Sequence, residues 1–431
     1  MSTPNTASNL NTAAANSAAN SAANSDAPAV DTVWFTRCPV PTATGLAYRL
    51  GWLDEEFARD GIQLKTLQET GGELARHHYD HELSTLVREG GNLLAIPARA
   101  QGAPTRLVGL TWIDEFQAIL VRPDSDISRP EHLRGKRLAL PAFRPADIAQ
   151  NRRGRSIARG MSLQGYKGAL NSVGLSLDDA HLVELPPAPP REGDLGHLAG
   201  SAGSAGSAGS AGTTGSPGAP RLPGSPASAA ANGTAGVSPR QDLGTGLWEG
   251  IHPLLRGEVD AVYVKGAAAL EAAIRLGAKV GIDLDQLPEK RFRVNNGTPR
   301  PITVHQSLID DHFDLLVRFL TQTLRAAEWA KTHLTETLEI LQGETRAGSA
   351  GVSGAYRNDF HLSLAPDLSQ ERVELFRLQK NFQLTHGFLD RDFDFDAWID
   401  PRPLEAARKR LAESAASAES AGTAESLRAA A

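Results

Sequence analysis

Short apolar runs and helical patterns alternate along the chain from about residue 32. Residues 32–36 are rich in β-branched and aromatic side chains, which is typical of a strand. Residues 45–59 have apolar side chains at helical spacing, and residues 62–67 indicate a second strand. This strand–helix–strand order predicts parallel pairing with a right-handed crossover, and therefore an α/β fold.

The same patterns continue along most of the chain. In chain order they predict a helix at 82–89 ending at Gly90-Gly91, strands at 93–96, 106–110 and 117–121, a short helix leading into a strand over 128–141, a helix at 156–173, a strand at 182–185, a helix at 248–255, a turn and strand at 257–264, a helix at 267–276, a strand at 300–304, and helices at 308–332 and 369–383. We expect two lobes, with lobe 1 formed by residues 31–135 and 300–411 and lobe 2 by residues 136–299.

Three segments have compositions that cannot bury enough apolar surface to offset the entropy lost on ordering. They are an Ala/Ser/Asn arm at residues 1–30, a Gly/Ser/Ala/Pro insert at 200–239 within lobe 2, and an Ala/Ser tail at 412–431. We predict that all three are disordered, and that the insert is a loop surrounded by solvent.

Charge and cysteine content exclude several classes of protein. A formal net charge of -6 with scattered signs gives no basic stripe, so we expect no nucleic-acid partner. No run of about twenty apolar residues and no signal-peptide pattern are present, so we expect a cytoplasmic protein without a membrane partner. The single cysteine excludes an intramolecular disulfide and a multi-cysteine metal site.

That cysteine, Cys38, lies where the first strand ends and Pro39 and Pro41 force a turn. Ligands of open parallel sheets bind beyond the carboxyl ends of the strands, so this is the position of a binding site. The alternative is that Cys38 is a small buried hydrophobic residue. Arg88 and Gly90-Gly91 also have an ordinary interpretation, as a helix end and its glycine stop.

A metal site is a further alternative, because His77 and His81 are at i,i+4 spacing beside His78. No HExxH pattern and no third clear ligand accompany them, so we expect no metal.

Two sets of motifs resemble known families. The patterns at residues 128–141 and 257–264, with the return crossing near residue 300, resemble the type II periplasmic-binding-protein fold, which has two lobes and a cleft between them. Cys38-Pro39-Val40-Pro41 resembles the active-site turn of bacterial hydroxybiphenyl sulfinate desulfinases, which act in dibenzothiophene desulfurisation. His78 precedes Arg88-Glu89-Gly90-Gly91 at the spacing that this family shows.

The resemblance implies a monomeric, cofactor-independent hydrolase that cleaves the C–S bond of an aryl sulfinate and releases sulfite. Cys38 and His78 would be its catalytic residues, and Arg88 with Gly90 and Gly91 would bind the sulfinate. The competing interpretation is a solute-binding protein that delivers a sulfonate or aromatic anion to an ABC transporter, for which Lys265 and an altered pocket would be markers. A thiamine-pyrimidine synthase shares the fold but needs a cysteine cluster.

Overall fold

A computed structural model describes residues 29–36, 40–67, 70, 74–186, 250–345, 348–356 and 359–429. Cys38, nearly all of the N-terminal arm and the whole 200–239 insert lie outside these ranges, so the predictions made for them stay predictions.

The described residues form strands and helices in alternation over most of the chain. The strands are β1 Thr32–Phe35, β2 Gln63–Thr66, β3 Leu86–Glu89, β4 Thr105–Thr111, β5 Gln117–Val121, β6 Arg137–Pro141, β7 His181–Leu185, β8 Val262–Lys265, β9 Lys279–Asp283 and β10 Arg300–His305. The helices are α1 Ala43–Arg49, α2 Trp52–Ala58, α3 His77–Asp80, α4 Asn92–Ala100, α5 Pro145–Ala149, α6 Ile157–Asn171, α7 Ile251–Leu255, α8 Ala267–Arg275, α9 Gln306–Asp310, α10 Phe313–Ala330, α11 Leu334–Thr345, α12 Ser349–Ala355, α13 Gln370–Thr385 and α14 Arg402–Ala429.

Lobe 1 is built on a five-stranded sheet in the order β2-β1-β3-β10-β4. β1 pairs in parallel with β2 and with β3, as the strand–helix–strand pattern predicts. β10 enters between β3 and β4 and is antiparallel to both. The carboxyl ends of β1 and β3 therefore meet at one edge of the sheet, beside the start of β10.

Lobe 2 contains two small sheets, in which β5 pairs with β8 and β9 while β6 pairs with β7. Because β5 pairs here, the first crossing between the lobes follows β4 at residues 112–116, earlier than the predicted position near residue 135. All five residues of β5 are buried, so its pattern has no polar face that would assign it to either lobe. The return crossing ends at β10, which pairs with β3 and β4.

The elements around Gly90-Gly91 differ from the sequence prediction. Residues 86–89 are a strand and not the end of a helix, and Asn92–Ala100 is a helix where we predicted a strand at 93–96. Every residue of β3 is buried, so the strand lacks the alternation that identifies a half-exposed strand. The two glycines therefore precede a helix instead of ending one.

Helix lengths also differ. The predicted 45–59 helix is divided at Gly51, whose φ of 78° ends one helical segment and begins the next. The last helix continues to Ala429, through most of the segment predicted as a disordered tail. Alanine and glutamate, which are abundant there, are among the strongest helix formers.

The C-terminal part of the chain joins the two lobes. Phe382 and Phe388 pack in one cluster with Leu140 and Leu163 of lobe 2, while Phe376 packs with residues of β4 and α4 in lobe 1. No helix within the described ranges has the length and apolar composition needed to cross a membrane.

Candidate anion-binding site

Arg88 lies at the carboxyl end of the central strand β3 and is only 1% exposed. Its Nε donates to the carbonyl oxygen of His78 at 3.4 Å, and its Nη1 donates to the carbonyl oxygen of Gly91 at 3.3 Å. The side chain thus folds back over the turn that follows the strand. A Cβ on Gly90 would lie 2.8 Å from the guanidinium carbon, so a glycine is needed for this packing.

Gly91 is the residue immediately before helix α4, at its positively polarised end. A Cβ here would lie 2.2 Å from Oδ1 of Asn296, which belongs to the return crossing from lobe 2. The same Oδ1 accepts from the backbone N–H of Leu93 at 3.1 Å. Asn296 therefore occupies the space that a side chain at residue 91 would fill, and it fixes the crossing against the start of α4.

A neighbouring amide strengthens this attachment. Asn92 is fully buried, and its Nδ2 donates to the carbonyl oxygens of Asn295 at 2.7 Å and Pro299 at 2.9 Å. Sequence analysis did not identify Asn92, Asn295 or Asn296. About two hundred residues separate Asn92 from the other two, so no local pattern connects them.

His78 lies in the short helix α3 and is partly buried. Burial lowers the pKa of His78 to about 3, and the nearby Arg88 guanidinium contributes to the decrease. The imidazole is therefore neutral at physiological pH, with one nitrogen that donates a hydrogen bond and one that accepts.

His81 ends α3 in a left-handed conformation, with a φ of 58°. It is 2% exposed, and its Nε2 lies 3.1 Å from the carbonyl oxygen of His78. Burial lowers the pKa of His81 well below its usual value, and the Arg88 charge lowers it further. His77 binds Asp80 through Nδ1 at 2.8 Å, so His77 and His81 do not share a ligand position. No group of three metal-binding side chains occurs within the described ranges.

The end of β1 is attached to the same strand. Oγ1 of Thr36 donates to the carbonyl oxygen of Glu89 at 2.6 Å, and the backbone N–H of Thr36 donates to Val87 at 3.3 Å. The Glu89 side chain is buried and accepts from Thr111, and burial raises its pKa. Cys38 follows Thr36 by two positions in the sequence and lies outside the described residues.

Lobe 2 reaches the site through Arg155. Its guanidinium carbon lies 4.7 Å from the ring centroid of Tyr79, and that ring meets the His78 ring edge-on with centroids 5.4 Å apart. Sequence analysis did not identify Arg155 or Tyr79, although the density of arginines after residue 143 is a visible signal.

The structure thus brings His78, Arg88, Gly90 and Gly91 together, and the roles predicted for them and for Cys38 stay predictions. Comparison with known proteins adds two groups of relatives. No protein-family model matches the chain. Curated 2'-hydroxybiphenyl-2-sulfinate desulfinases of Rhodococcus erythropolis and Rhodococcus qingshengii are each 25% identical to it over 398 residues, which is 88% of this chain and 94% of theirs. The chain resembles these desulfinases along most of its length.

Solved structures support the fold. A cysteine-to-serine variant of the desulfurisation enzyme DszB, bound to biphenyl-2-sulfinic acid, matches this chain with a TM-score of 0.64 at 22% identity. The match covers 89% of this chain and 100% of the DszB chain. The periplasmic aliphatic sulphonate-binding protein SsuA of Escherichia coli matches with a TM-score of 0.55 at 12% identity, covering 86% of this chain and 92% of SsuA. The predicted resemblance and the predicted two-lobed α/β fold are both confirmed.

Proposed function

We propose that this protein is an aryl sulfinate desulfinase, which converts a substrate like 2'-hydroxybiphenyl-2-sulfinate into a phenol product and sulfite. The observation that carries the proposal is the position of the buried Arg88 at the Gly90-Gly91 turn, beside a neutral His78, in a chain similar to curated desulfinases. The reaction is assigned to C–S bond hydrolysis without a cofactor.

The sulfinate would bind between the Arg88 guanidinium and the backbone N–H of Gly91. A guanidinium is a planar fork that matches two oxyanion oxygens, and charge-assisted hydrogen bonds of this kind are stronger than neutral ones. The N-terminal end of α4 adds a favourable dipole for an anion. Hydrogen bonds to the carbonyl oxygens of His78 and Gly91 hold the Arg88 guanidinium, and Asn296 packs against Gly91.

The chemical step would use Cys38, whose role the resemblance supplies. As the C–S bond breaks, its electron pair stays on the ring carbon, which takes the proton from the thiol. The sulfur leaves as sulfur dioxide, and water converts it to hydrogen sulfite and returns a proton to the thiolate. A neutral His78 can accept the proton released by that water and pass it to the thiolate, since the neutral ring has one accepting nitrogen and its low pKa favours giving the proton up again.

A non-catalytic sulfonate carrier is the second candidate, and the structural similarity to SsuA favours it. The carrier would use the same arginine and glycine amide, but Cys38 would have no chemical role. The similarity in sequence to desulfinases supports the enzyme more strongly, since it extends over 88% of the chain.

The deciding experiment is sulfite release from 2'-hydroxybiphenyl-2-sulfinate by the wild type and by Cys38→Ser. A hydroxyl is a much weaker acid than a thiol of pKa about 8.5, so the variant should release no sulfite but still bind the substrate. Circular dichroism checks that the fold is unchanged. The carrier would be supported instead if the wild type releases no sulfite from any aryl sulfinate and both proteins bind aromatic sulfonates equally well.

The proposal also includes a cytoplasmic location and a monomeric state. Cell fractionation tests the first, and size-exclusion chromatography with light scattering tests the second.

A further inference from the structure

A close contact between the lobes places Arg155 near the candidate site. Gly154 packs on α4, and a Cβ at this glycine would lie 2.4 Å from Cγ of Pro97. The turn Arg153–Arg155 of lobe 2 therefore lies directly against the helix that begins at Gly91. Any larger residue at position 154 would push this turn, and Arg155 with it, away from lobe 1.

A continuous series of contacts connects Arg155 to Arg88. The guanidinium of Arg155 lies over the Tyr79 ring, the Tyr79 ring meets His78, and the carbonyl oxygen of His78 accepts from Arg88. Two aromatic side chains thus separate two guanidinium groups, one from each lobe. An aryl group whose sulfinate is bound at Arg88 would extend along these side chains toward lobe 2.

The surrounding segment has an excess of positive charge. Residues 144–159 contain five arginines and one acidic residue, Asp147. Arg159 is already paired, since its Nη2 lies 2.7 Å from Oε1 of Glu184 and its Nη1 donates to the carbonyl oxygen of Pro141. The side chains of Arg144, Arg152 and Arg155 make no hydrogen bond or ion pair with any other residue that the structure describes.

The environment of Arg155 favours binding of an anion. Burial lowers the pKa of Arg155 and the nearby Arg152 lowers it further, while Tyr79, Asp147 and Asp80 act in the opposite direction. Stacking on Tyr79 occupies one face of the planar guanidinium and leaves its N–H edge for an oxyanion. Two carboxylates, Asp147 and Asp80, act on Arg155, and Asp80 is already bound to His77, so the arginines of this surface outnumber the carboxylates near them.

We propose that Arg155, supported by Arg144, is a second oxyanion site on lobe 2, and that the preferred substrates are aryl sulfinates with a second acidic group, a carboxylate or sulfonate, on the ring remote from the sulfinate. The proposal rests on the proposed function, which places the sulfinate at Arg88. Lobe 2 then determines which sulfinates are bound well, and lobe 1 holds the group common to all of them.

The test compares biphenyl-2-sulfinate with the same compound bearing a carboxylate on the distal ring. For the wild type we expect KM to be about tenfold lower for the carboxylated substrate, since one charge-assisted pair of hydrogen bonds accounts for a factor of that order. Arg155→Gln should lose this preference, so that the KM of the carboxylated substrate rises to that of the parent compound. Arg155→Lys should restore part of it.

The matched control is Arg159→Gln, because this arginine lies on the same segment and is already paired with Glu184. It should keep the preference for the carboxylated substrate. Equal KM values for the two substrates with the wild type would overturn the proposal while leaving sulfite release, and therefore the proposed function, intact. An equal effect of Arg155→Gln on both substrates would show that the Tyr79 stack is only structural, which also overturns it.

Failure of the proposed function gives a different result, namely no sulfite from either compound. Calorimetric binding of the matching monosulfonate and of its carboxylated form then tests the second site without any reaction. Tighter binding of the carboxylated sulfonate by the wild type, but not by Arg155→Gln, would still support the site. Equal binding of the two compounds by the wild type would overturn it.

Discussion

The two arginine regions that approach His78 and Tyr79 differ in how firmly they are held. Arg88 is 1% exposed, hydrogen-bonded to two backbone carbonyls and packed against Gly90. Arg155 is half-buried and lies on a short turn, where its guanidinium contacts the ring of Tyr79. A rigid group suits an anion that every substrate shares, whereas an adaptable one suits groups that vary among substrates.

The largest effect is expected from a substitution that disturbs the region around Arg88. Gly91→Ala places a Cβ where Oδ1 of Asn296 lies, so the amide that binds the Leu93 N–H must move. We expect sulfite release to fall by about a hundredfold, as for displacements near 1 Å in other active sites. Steady-state assays measure this effect, and Gly91→Ala combined with Asn296→Ala should recover part of the loss.

The control for that change is Gly343→Ala, because a Cβ at Gly343 has nothing within 4 Å. Its activity should equal that of the wild type. If Gly91→Ala were equally active, the β3–α4 turn would not hold the anion.

A smaller effect is expected when the charge at position 88 is kept but the planar fork is removed. Arg88→Lys should weaken sulfinate binding by about 1.5–3 kcal/mol, since one ammonium group does not reproduce two parallel hydrogen bonds. Isothermal calorimetry measures the difference, and the exposed Arg256→Lys serves as the control. Equal affinity of wild type and Arg88→Lys would make Arg88 a structural residue and remove the contrast between the two regions.

The smallest effect concerns pH. In the unfolded chain His78 takes up a proton near pH 6.5. In the folded protein its pKa is lowered to about 3, so the ring stays neutral at that pH. The contribution of His78 to the free energy of unfolding is therefore fully present above pH 6.5, and it decreases as the pH falls toward 3. Between pH 6.5 and 5 the decrease is at most about 2 kcal/mol, and the partial exposure of His78 reduces it.

Urea unfolding at pH 7 and pH 5 measures this dependence. His78→Gln should lose less stability than the wild type over this interval, whereas the exposed His252→Gln should behave like the wild type. The same pH dependence in wild type and His78→Gln would mean that the His78 ring is solvated in the folded protein.

The sequence predicted much of the fold, but it assigned the wrong element to residues 86–89, and the roles predicted for the site residues stay predictions. The motif around Arg88 was found because its four residues are contiguous, and β1, β2, β4 and β10 were found from their apolar runs. Residues 82–89 were interpreted as a helix because a strand of four residues buried on every side has no polar face.

Contacts that bridge distant parts of the chain could not be predicted in this way. Asn296 reaches Gly91 only because β10 returns to lobe 1, and Arg155 reaches Tyr79 only because Gly154 packs on Pro97. Each contact joins segments that are more than fifty residues apart, and each depends on the relative placement of the lobes. Local hydrophobic periodicity carries no information about that placement.

The position of β10 also constrains the order of folding. This strand lies between β3 and β4 and hydrogen-bonds with both, yet it is made only after all of lobe 2 has been synthesised. Until residue 305 has left the ribosome, β3 keeps an unpaired edge and Arg88 lacks the crossing that packs beside it. Lobe 2 is contiguous in the chain and can fold first, so we expect the candidate anion-binding site around Arg88 to be completed last in the nascent chain.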